Sequence, residues 1–120
     1  MNLIDISGLA AAAAQFAHER DWHKYHSPKN LAMALSVEAA ELVEIFQWST
    51  EEESRAVMQS DEADHVRQEL ADITIYLVQL CNVMKIDLNA AVEAKIAMNA
   101  RKYPRPEHPD HPERPDPDDT

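Results

Sequence analysis

Residues that break helices are almost absent from the first 103 positions of this chain. Of its 120 residues only one is glycine, Gly8, and six of the seven prolines lie at or after position 104. Glycine and proline interrupt helices more strongly than other residues, so the sequence predicts an all-α fold of long helices. The shortage of glycine also argues against the glycine-rich loops that hold phosphates or dinucleotides.

Turn and capping signals divide this stretch into four main helices and a short connecting helix, which we expect to form a bundle. The predicted ranges are 5–24, 28–47, 50–59, 60–84 and 88–102. Ser27 precedes Pro28, the arrangement of an N-cap and the first helical position. Thr50 stands three residues before Glu53, the spacing of a capping box, and Asp87 is the predicted cap of the last helix.

The composition changes sharply after position 104. Residues 105–120 repeat proline among charged side chains and contain almost no apolar ones. Such a segment cannot bury enough apolar surface to order itself, so we expect a disordered or extended tail. The predicted organisation is therefore one helical domain over 1–104 and an acidic, proline-rich tail over 105–120.

Charge and composition exclude several functional classes. The formal net charge of −11 argues against binding to a nucleic acid polymer, which normally requires a basic face. The single cysteine, Cys81, excludes an internal disulfide, and we interpret it as a small buried side chain. The longest apolar run, 9–14, is too short to span a membrane, and no basic region typical of a secretory signal opens the chain. We therefore expect a cytoplasmic protein.

Four acidic residues border the apolar stripes of two predicted helices. Glu38 lies in the middle of the stripe on the second helix, with Glu41 at its edge. Glu69 and Asp72 repeat the same spacing beside the stripe of the long helix. Four carboxylates cannot all stay ionised in a small, partly buried volume without cations. Because oxygen ligands favour hard ions, we predict a site for Mg²⁺, with Mn²⁺ as a possible substitute.

Each of these patterns also has a simpler interpretation. Pairs of acids on a helix are most often solvated. Lys95, Asn99 and Lys102 share one side of the last helix, where they are suited either to phosphate oxygens or to the helix dipole. The aromatic side chains near the ends of the first two helices either stack on a base or pack in the core.

The assembled residues resemble the MazG-like all-α nucleoside triphosphate pyrophosphohydrolases, most closely the dCTP pyrophosphatase branch. The resemblance rests on Glu38-Ala-Ala-Glu41, Glu69-Leu-Ala-Asp72 and the blocks 19–22, 25–31, 41–48, 75–78 and 95–104. It implies a Mg²⁺-dependent enzyme of nucleotide-pool house-cleaning. Such an enzyme hydrolyses a nucleoside triphosphate, here dCTP or a modified dCTP, to the monophosphate and pyrophosphate.

The resemblance also implies a role for each residue of the site. The metal ligands would be Glu38, Glu41, Glu69 and Asp72, and either Glu38 or Glu41 would be the catalytic residue that orients the water. The implied substrate-binding residues are Trp22, His26, Trp48, Tyr76, Lys95, Asn99, Lys102 and Tyr103. The sequence departs from the branch at Ala13, where a polar residue, often histidine, is common.

Two other functions and the state of assembly stay open at this point. A carboxylate-bridged di-iron bundle needs two Glu-x-x-His motifs, and the chain has one, Glu62-Ala-Asp-His65. A non-catalytic helical interaction protein is the third possibility. Met33, Val37 and Ala40 form a second apolar strip on the second helix, which either the first helix or another copy must cover. We predict a homodimer or a dimer of dimers, that is, a homotetramer.

Overall fold

The computed structural model describes residues 3–106, and all of its regular elements within that range are helical. The five α-helices are α1 (Ser7–Glu19), α2 (Pro28–Phe46), α3 (Glu51–Arg55), α4 (Ala63–Met84) and α5 (Leu88–Lys102). Single 3₁₀ turns lie at His23–Tyr25 and Val57–Gln59. The predicted all-α class, with four main helices and a short connecting one, is confirmed. Most of the predicted tail, 107–120, lies outside the described residues.

Capping residues account for three of the helix starts. The Ser27 hydroxyl accepts a backbone N–H from the first turn of α2, where Pro28 is the first helical residue. Thr50 and Glu53 exchange the two reciprocal bonds of a capping box at α3. The Asp87 carboxylate accepts a backbone N–H at the start of α5. Each bond satisfies a donor that the helix itself leaves unpaired, and each predicted start is confirmed.

The first helix is shorter than the predicted range 5–24. It ends at Glu19, and Asp21 adopts a left-handed backbone with φ of 56°. The Trp22 N–H then donates to the Ala17 carbonyl oxygen at 2.8 Å. This reversal satisfies the last carbonyl groups, and aspartate tolerates it better than most residues. The prediction was too long because no glycine marks this helix end.

Two other boundaries also differ from the prediction. The predicted 50–59 helix is interrupted, so that α3 and a 3₁₀ turn take its place. The long helix α4 begins at Ala63. The Ser60 hydroxyl accepts the Glu62 N–H at 3.1 Å and so stabilises the turn that precedes the helix. Its end at Met84 is as predicted, where Lys85 turns left-handed with φ of 56°. The predicted start of the long helix at position 60 is therefore three residues too early, because residues 60–62 form a turn.

The chain divides into two compact units, of which the first spans residues 5–86. In this unit α4 packs against α2 along one side and against α1 along another. The buried apolar residues are Ala13, Ala17, Leu31, Val66, Val78 and Cys81. This core is small and consists mainly of short side chains. The helix α4 is therefore the common wall of two seams, one with α2 and one with α1.

The second unit, as described, contains residues 3–4 and α5. The Asn89 side-chain oxygen accepts the backbone N–H groups of Leu3 and Ile4 at 2.8 and 3.1 Å. One amide on the first turn of α5 thus holds the N-terminal residues by two hydrogen bonds.

Large apolar side chains stay exposed on the outer face of α2. Met33 and Val37 are 58% and 55% exposed, and Ala40 is exposed as well, so α1 does not cover this strip. Within residues 3–106, none of the helices by itself combines the length and apolar character needed to cross a membrane. Only the broken pair α4 and α5, taken together, passes that test of length and composition.

Candidate active site

Packing of α2 against α4 brings three of the four predicted acidic residues together. One carboxylate oxygen from each of Glu38, Glu41 and Glu69 lies within 4.8 Å of the other two. The first two are one turn apart on α2, and the third reaches them from α4. Glu69 is only 6% exposed, and its two partners are half-buried. The helical spacing and the α2–α4 seam together therefore produce a compact acidic group.

Two oxygens of this acidic group lack a hydrogen-bond donor. Glu38 Oε2 and Glu69 Oε2 are buried and have no partner among residues 3–106. Leaving a buried acceptor unsatisfied costs on the order of 1–3 kcal/mol, and more when the group is charged. A hard divalent cation would satisfy both oxygens, because carboxylates are the ligands that Mg²⁺ prefers. The residues present therefore fit such an ion.

The crowding of carboxylates changes the acidity of Glu38. A side-chain hydrogen bond to Glu69 raises the pKa of Glu38, and burial and the neighbouring Glu41 add to the effect, from 4.5 to about 7. When both carboxylates are ionised neither buried Oε2 has a donor, whereas a proton on Glu38 provides one. The metal-free group therefore retains a proton at a pH where isolated glutamates are ionised.

A cavity of about 560 Å³ begins at the acidic group. Glu38 lines it, and so does Asp72, which lies one helical turn after Glu69. Asp72 is exposed and is not one of the three clustered carboxylates. The volume falls in the range of about 300–1,000 Å³ that is typical of pockets for small ligands. Acidic residues thus occupy one end of a space large enough for a nucleoside.

Aromatic residues form part of the cavity wall. Trp22, His26 and Tyr76, all predicted to bind substrate, line it together. The Trp22 ring packs edge-on against Phe16, with 5.5 Å between the ring centres. An indole held in this way offers a rigid face on which a base can stack.

His26 is suited to hydrogen bonding with a neutral partner. Burial, together with the charge of His23, lowers the pKa of His26. A neutral imidazole has one donor nitrogen and one acceptor nitrogen. His26 can therefore either donate to a polar group in the cavity or accept from one.

Comparison with known proteins assigns the chain to a family. The sequence model of the MazG-like family matches residues 33–113. The chain belongs to the MazG-like family. Its predicted membership and fold are therefore confirmed.

Relatives of this MazG-like chain are found among curated proteins and solved structures. It is 46% identical to dCTP pyrophosphatase 1 of Bos taurus and 45% identical to that of Homo sapiens, each over 92 residues. The matches cover 76% of this chain and 54% of each relative, so the chain spans about half the length of these curated relatives. The crystal structure of a pyrophosphatase from Archaeoglobus fulgidus is 42% identical, with a TM-score of 0.78. That match covers 83% of this chain and 93% of the other.

Five predicted substrate-binding residues of this MazG-like chain are not among the residues that line the cavity. Trp48 follows α2, and its side chain is 89% exposed. Lys95, Asn99, Lys102 and Tyr103 belong to α5 and its C-cap, in the second unit. There the Lys102 ammonium lies 5.5 Å from the centre of the Tyr103 ring. A role of these five residues in binding substrate stays a prediction.

Histidine 65 contacts the acidic group, although the sequence offered no convincing reason to place it there. Its Nε2 lies 3.3 Å from Glu69 Oε1, and its Nδ1 lies 3.0 Å from Glu62 Oε2. The hydrogen bond with Glu62 is the main reason why the pKa of His65 is raised. The spacing of four residues between His65 and Glu69 was the available signal, since such pairs meet on a helix.

Two further residues of α4, Cys81 and Gln79, are buried. Cys81 is buried, which confirms the interpretation of a small core side chain, and burial raises the pKa of its thiol. Gln79 is buried as well but lines the cavity. Sequence reasoning missed Gln79; its spacing from Asp72 and Tyr76, which places all three on one helix face, was the signal that could have identified it.

Proposed function

We propose that this MazG-like chain is a Mg²⁺-dependent nucleoside triphosphate pyrophosphohydrolase, acting on dCTP or a modified dCTP. It would cleave the bond between the α- and β-phosphates and release a monophosphate and pyrophosphate. The observation that carries the proposal is that Glu38 belongs both to the acidic group and to the wall of the cavity. A cation site for phosphate oxygens and a space for a base therefore adjoin. The names of the relatives, dCTP pyrophosphatase 1 and pyrophosphatase, support this assignment.

The acidic group and Asp72 have the roles of metal ligands in this proposal. Glu38, Glu41 and Glu69 would hold Mg²⁺ with Asp72 beside them. When bound, the cation neutralises the charge of the triphosphate oxygens. Either Glu38 or Glu41 orients the attacking water and accepts a proton at a carboxylate oxygen.

The other end of the cavity holds the nucleoside in this proposal. Trp22 offers a stacking face, and His26 and Tyr76 offer polar atoms beside it. Fixing the base and sugar leaves the α-phosphate in a defined position relative to the acidic group. Positioning of this kind provides a large share of the rate of phosphoryl transfer.

The exposed strip on α2 supports assembly of the chain with itself. Met33 and Val37 lie in water in a single copy, and Val43, further along the same helix, is exposed too. A chain with this apolar surface is stabilised when another copy covers it. The proposed enzyme is a homodimer or a dimer of dimers. Light scattering that gives a mass of 13.6 kDa at micromolar concentration would contradict this.

A panel of nucleoside triphosphates, assayed for pyrophosphate and for inorganic phosphate, tests the proposed activity. We expect equal amounts of pyrophosphate and monophosphate, no product in the presence of EDTA, and the highest kcat/KM for a cytosine nucleotide. Release of inorganic phosphate, or no turnover with Mg²⁺ or Mn²⁺, would overturn the proposal.

Titration calorimetry with Mg²⁺ and a non-hydrolysable dCTP analogue tests the proposed function against its two alternatives, a non-catalytic helical interaction protein and a carboxylate-bridged di-iron bundle. A non-catalytic interaction protein would bind neither. The di-iron alternative has less support, because that class needs two Glu-x-x-His motifs and the chain has one. The histidine of that motif, His65, contacts Glu69 but is not part of the three-carboxylate group found among residues 3–106.

A further inference from the structure

Gln79 is a buried amide on the wall of the cavity, and it has no part in the proposed hydrolysis. Only 6% of its surface is exposed, and it is one of the residues that line the cavity. No hydrogen bond of its side chain is found among residues 3–106. The Gln79 amide atoms are not among the side-chain atoms shut off from solvent, so they face the cavity and are available to hydrogen-bond a ligand there.

The position of Gln79 on α4 places it away from the acidic group. Asp72, Tyr76 and Gln79 follow one another at intervals of four and three residues, so they share one face of the helix. All three line the cavity. Seven residues of helix extend about 10 Å, which separates the carboxylate of Asp72 from the amide along the helix axis. The face thus presents a carboxylate, a phenol and an amide in that order.

The wall opposite this face offers no competing hydrogen bonds. It is formed by residues of α1, namely Leu9, Ala12, Ala13 and Phe16, whose side chains have neither donors nor acceptors. The Asn82 amide, one turn beyond Gln79, donates to the Ala10 carbonyl oxygen at 3.1 Å and ties α1 to α4. The α1 side of the cavity therefore presents only apolar side chains.

We propose that Gln79 hydrogen-bonds the edge of the bound base and is a specificity-determining residue of this site. The inference rests on the proposed function. An amide offers one donor and one acceptor side by side. The N3 atom and the N4 amino group of cytosine present the complementary pair, so that Gln79 Nε2 donates to N3 and Gln79 Oε1 accepts from N4. The α1 wall has no side-chain donor or acceptor that would compete for either bond.

A cycle of two proteins and two ligands tests this pairing directly. Wild type and Gln79→Met are titrated with dCMP and with its analogue that lacks the N4 amino group. Methionine keeps the length of the side chain but has no donor for N3. We expect Gln79→Met to weaken dCMP binding by about 5- to 150-fold, the range for a good bidentate contact with a base. The analogue without the N4 amino group should bind wild type more weakly than dCMP does, whereas Gln79→Met should bind the two ligands equally.

Two controls separate recognition from packing. Gln68→Met makes the same change on α4 at an exposed position outside the cavity and should leave dCMP binding unchanged. The base-free ligand 2-deoxyribose 5-phosphate should bind wild type and Gln79→Met equally. The proposal would be overturned if Gln79→Met weakened binding of the base-free ligand as much as it weakens binding of dCMP. It would also be overturned if removal of the N4 amino group weakened binding to both proteins equally.

Because monophosphates are bound but not hydrolysed, this binding test does not depend on the test of pyrophosphohydrolase activity. If no triphosphate is hydrolysed but the cycle shows coupling, the proposed function fails and the role of Gln79 stands. If wild type binds neither dCMP nor any other nucleotide, both fail. Should Gln79→Met not fold, Gln79→Asn takes its place, since it retains the amide but withdraws it by one methylene. We then expect a smaller loss for dCMP and none for the base-free ligand.

Discussion

The two ends of the cavity differ in chemistry although they share one helix, α4. At the α2–α4 seam three carboxylates crowd together, and two of their oxygens lack a donor. At the α1–α4 seam alanine and aromatic side chains face a single buried amide, that of Gln79. Buried like charges interact strongly, whereas apolar walls act only by contact. We therefore expect the acidic end to control turnover and the apolar end to control the choice of nucleotide.

The largest effect should come from neutralising one carboxylate at the acidic end. Glu38→Gln keeps the side-chain volume but removes a charge from the group, so turnover should fall by several orders of magnitude. Removing the charge also relieves repulsion, so the metal-free variant should be as stable as wild type or more stable. Pyrophosphate release and thermal melting without metal are the measurements.

Glu44→Gln provides the matched control on the same helix. Glu44 is exposed and is not part of the acidic group. Its replacement should leave turnover unchanged. Near-wild-type turnover in Glu38→Gln would show that the acidic end does not carry the chemistry.

The next largest effect should come from removing the aromatic face at the other end. Trp22→Ala should raise KM for dCTP by about 5- to 150-fold, because stacking contributes on the order of 1–3 kcal/mol per base. Trp22→Phe keeps part of the face and should recover part of the loss. Mg²⁺ affinity without nucleotide, measured by calorimetry, should not change in either variant. A loss of Mg²⁺ affinity in Trp22→Ala would mean that the two ends do not act separately.

Trp48 sharpens this comparison because it lies outside the cavity. We expect Trp48→Ala to raise KM only if the implied substrate-binding role holds in the assembled protein. If Trp48 has no such role, its replacement leaves KM as it was and changes the melting temperature little, because its side chain is 89% exposed. Steady-state kinetics and thermal melting of the same variant distinguish these two results.

A smaller effect is expected in the pH dependence of the stability of the metal-free protein. The pKa of Glu38 is raised from 4.5 to about 7, so between these values the folded state holds a proton that the unfolded state has released. The free energy of unfolding of the metal-free protein should therefore fall as pH rises through this window and stay lower above it. Glu38→Gln lacks this titration and should show a flatter profile in urea unfolding. Parallel pH profiles of the free energy of unfolding for the two proteins would contradict the raised pKa of Glu38.

The smallest effect should come from the bond that ties α1 to α4. Asn82→Ala removes the hydrogen bond to Ala10 and should lower the free energy of unfolding by about 0.5–1.5 kcal/mol. Gln15→Ala is the control, because its amide bonds Glu19 within α1 and no other residue of the described range 3–106. KM for dCTP should rise slightly in Asn82→Ala and Mg²⁺ affinity should stay constant. Equal destabilisation by both variants would show that the interhelical bond does not hold the apolar wall.

Prediction from sequence succeeded where the signal lay within one helix. Ser27, Thr50 and Asp87 cap the helices as expected, since capping depends on residues three positions apart. The end of α1 was misplaced because Asp21 supplies the left-handed turn without a glycine. The cavity wall of α1 could not be predicted, because a run of alanines presents apolar groups on every side.

The sequence by itself determined the helices and the acids that lie on their apolar stripes, because helical periodicity depends only on local spacing. It also carried the resemblance that the family match confirms. Only the tertiary structure decided which groups meet. It joined Glu69 to the acids of α2, placed His65 against Glu69, and set Trp22 and Gln79 in the same cavity. Contacts between helices depend on which faces pack together, and the residues of a single helix do not contain that information.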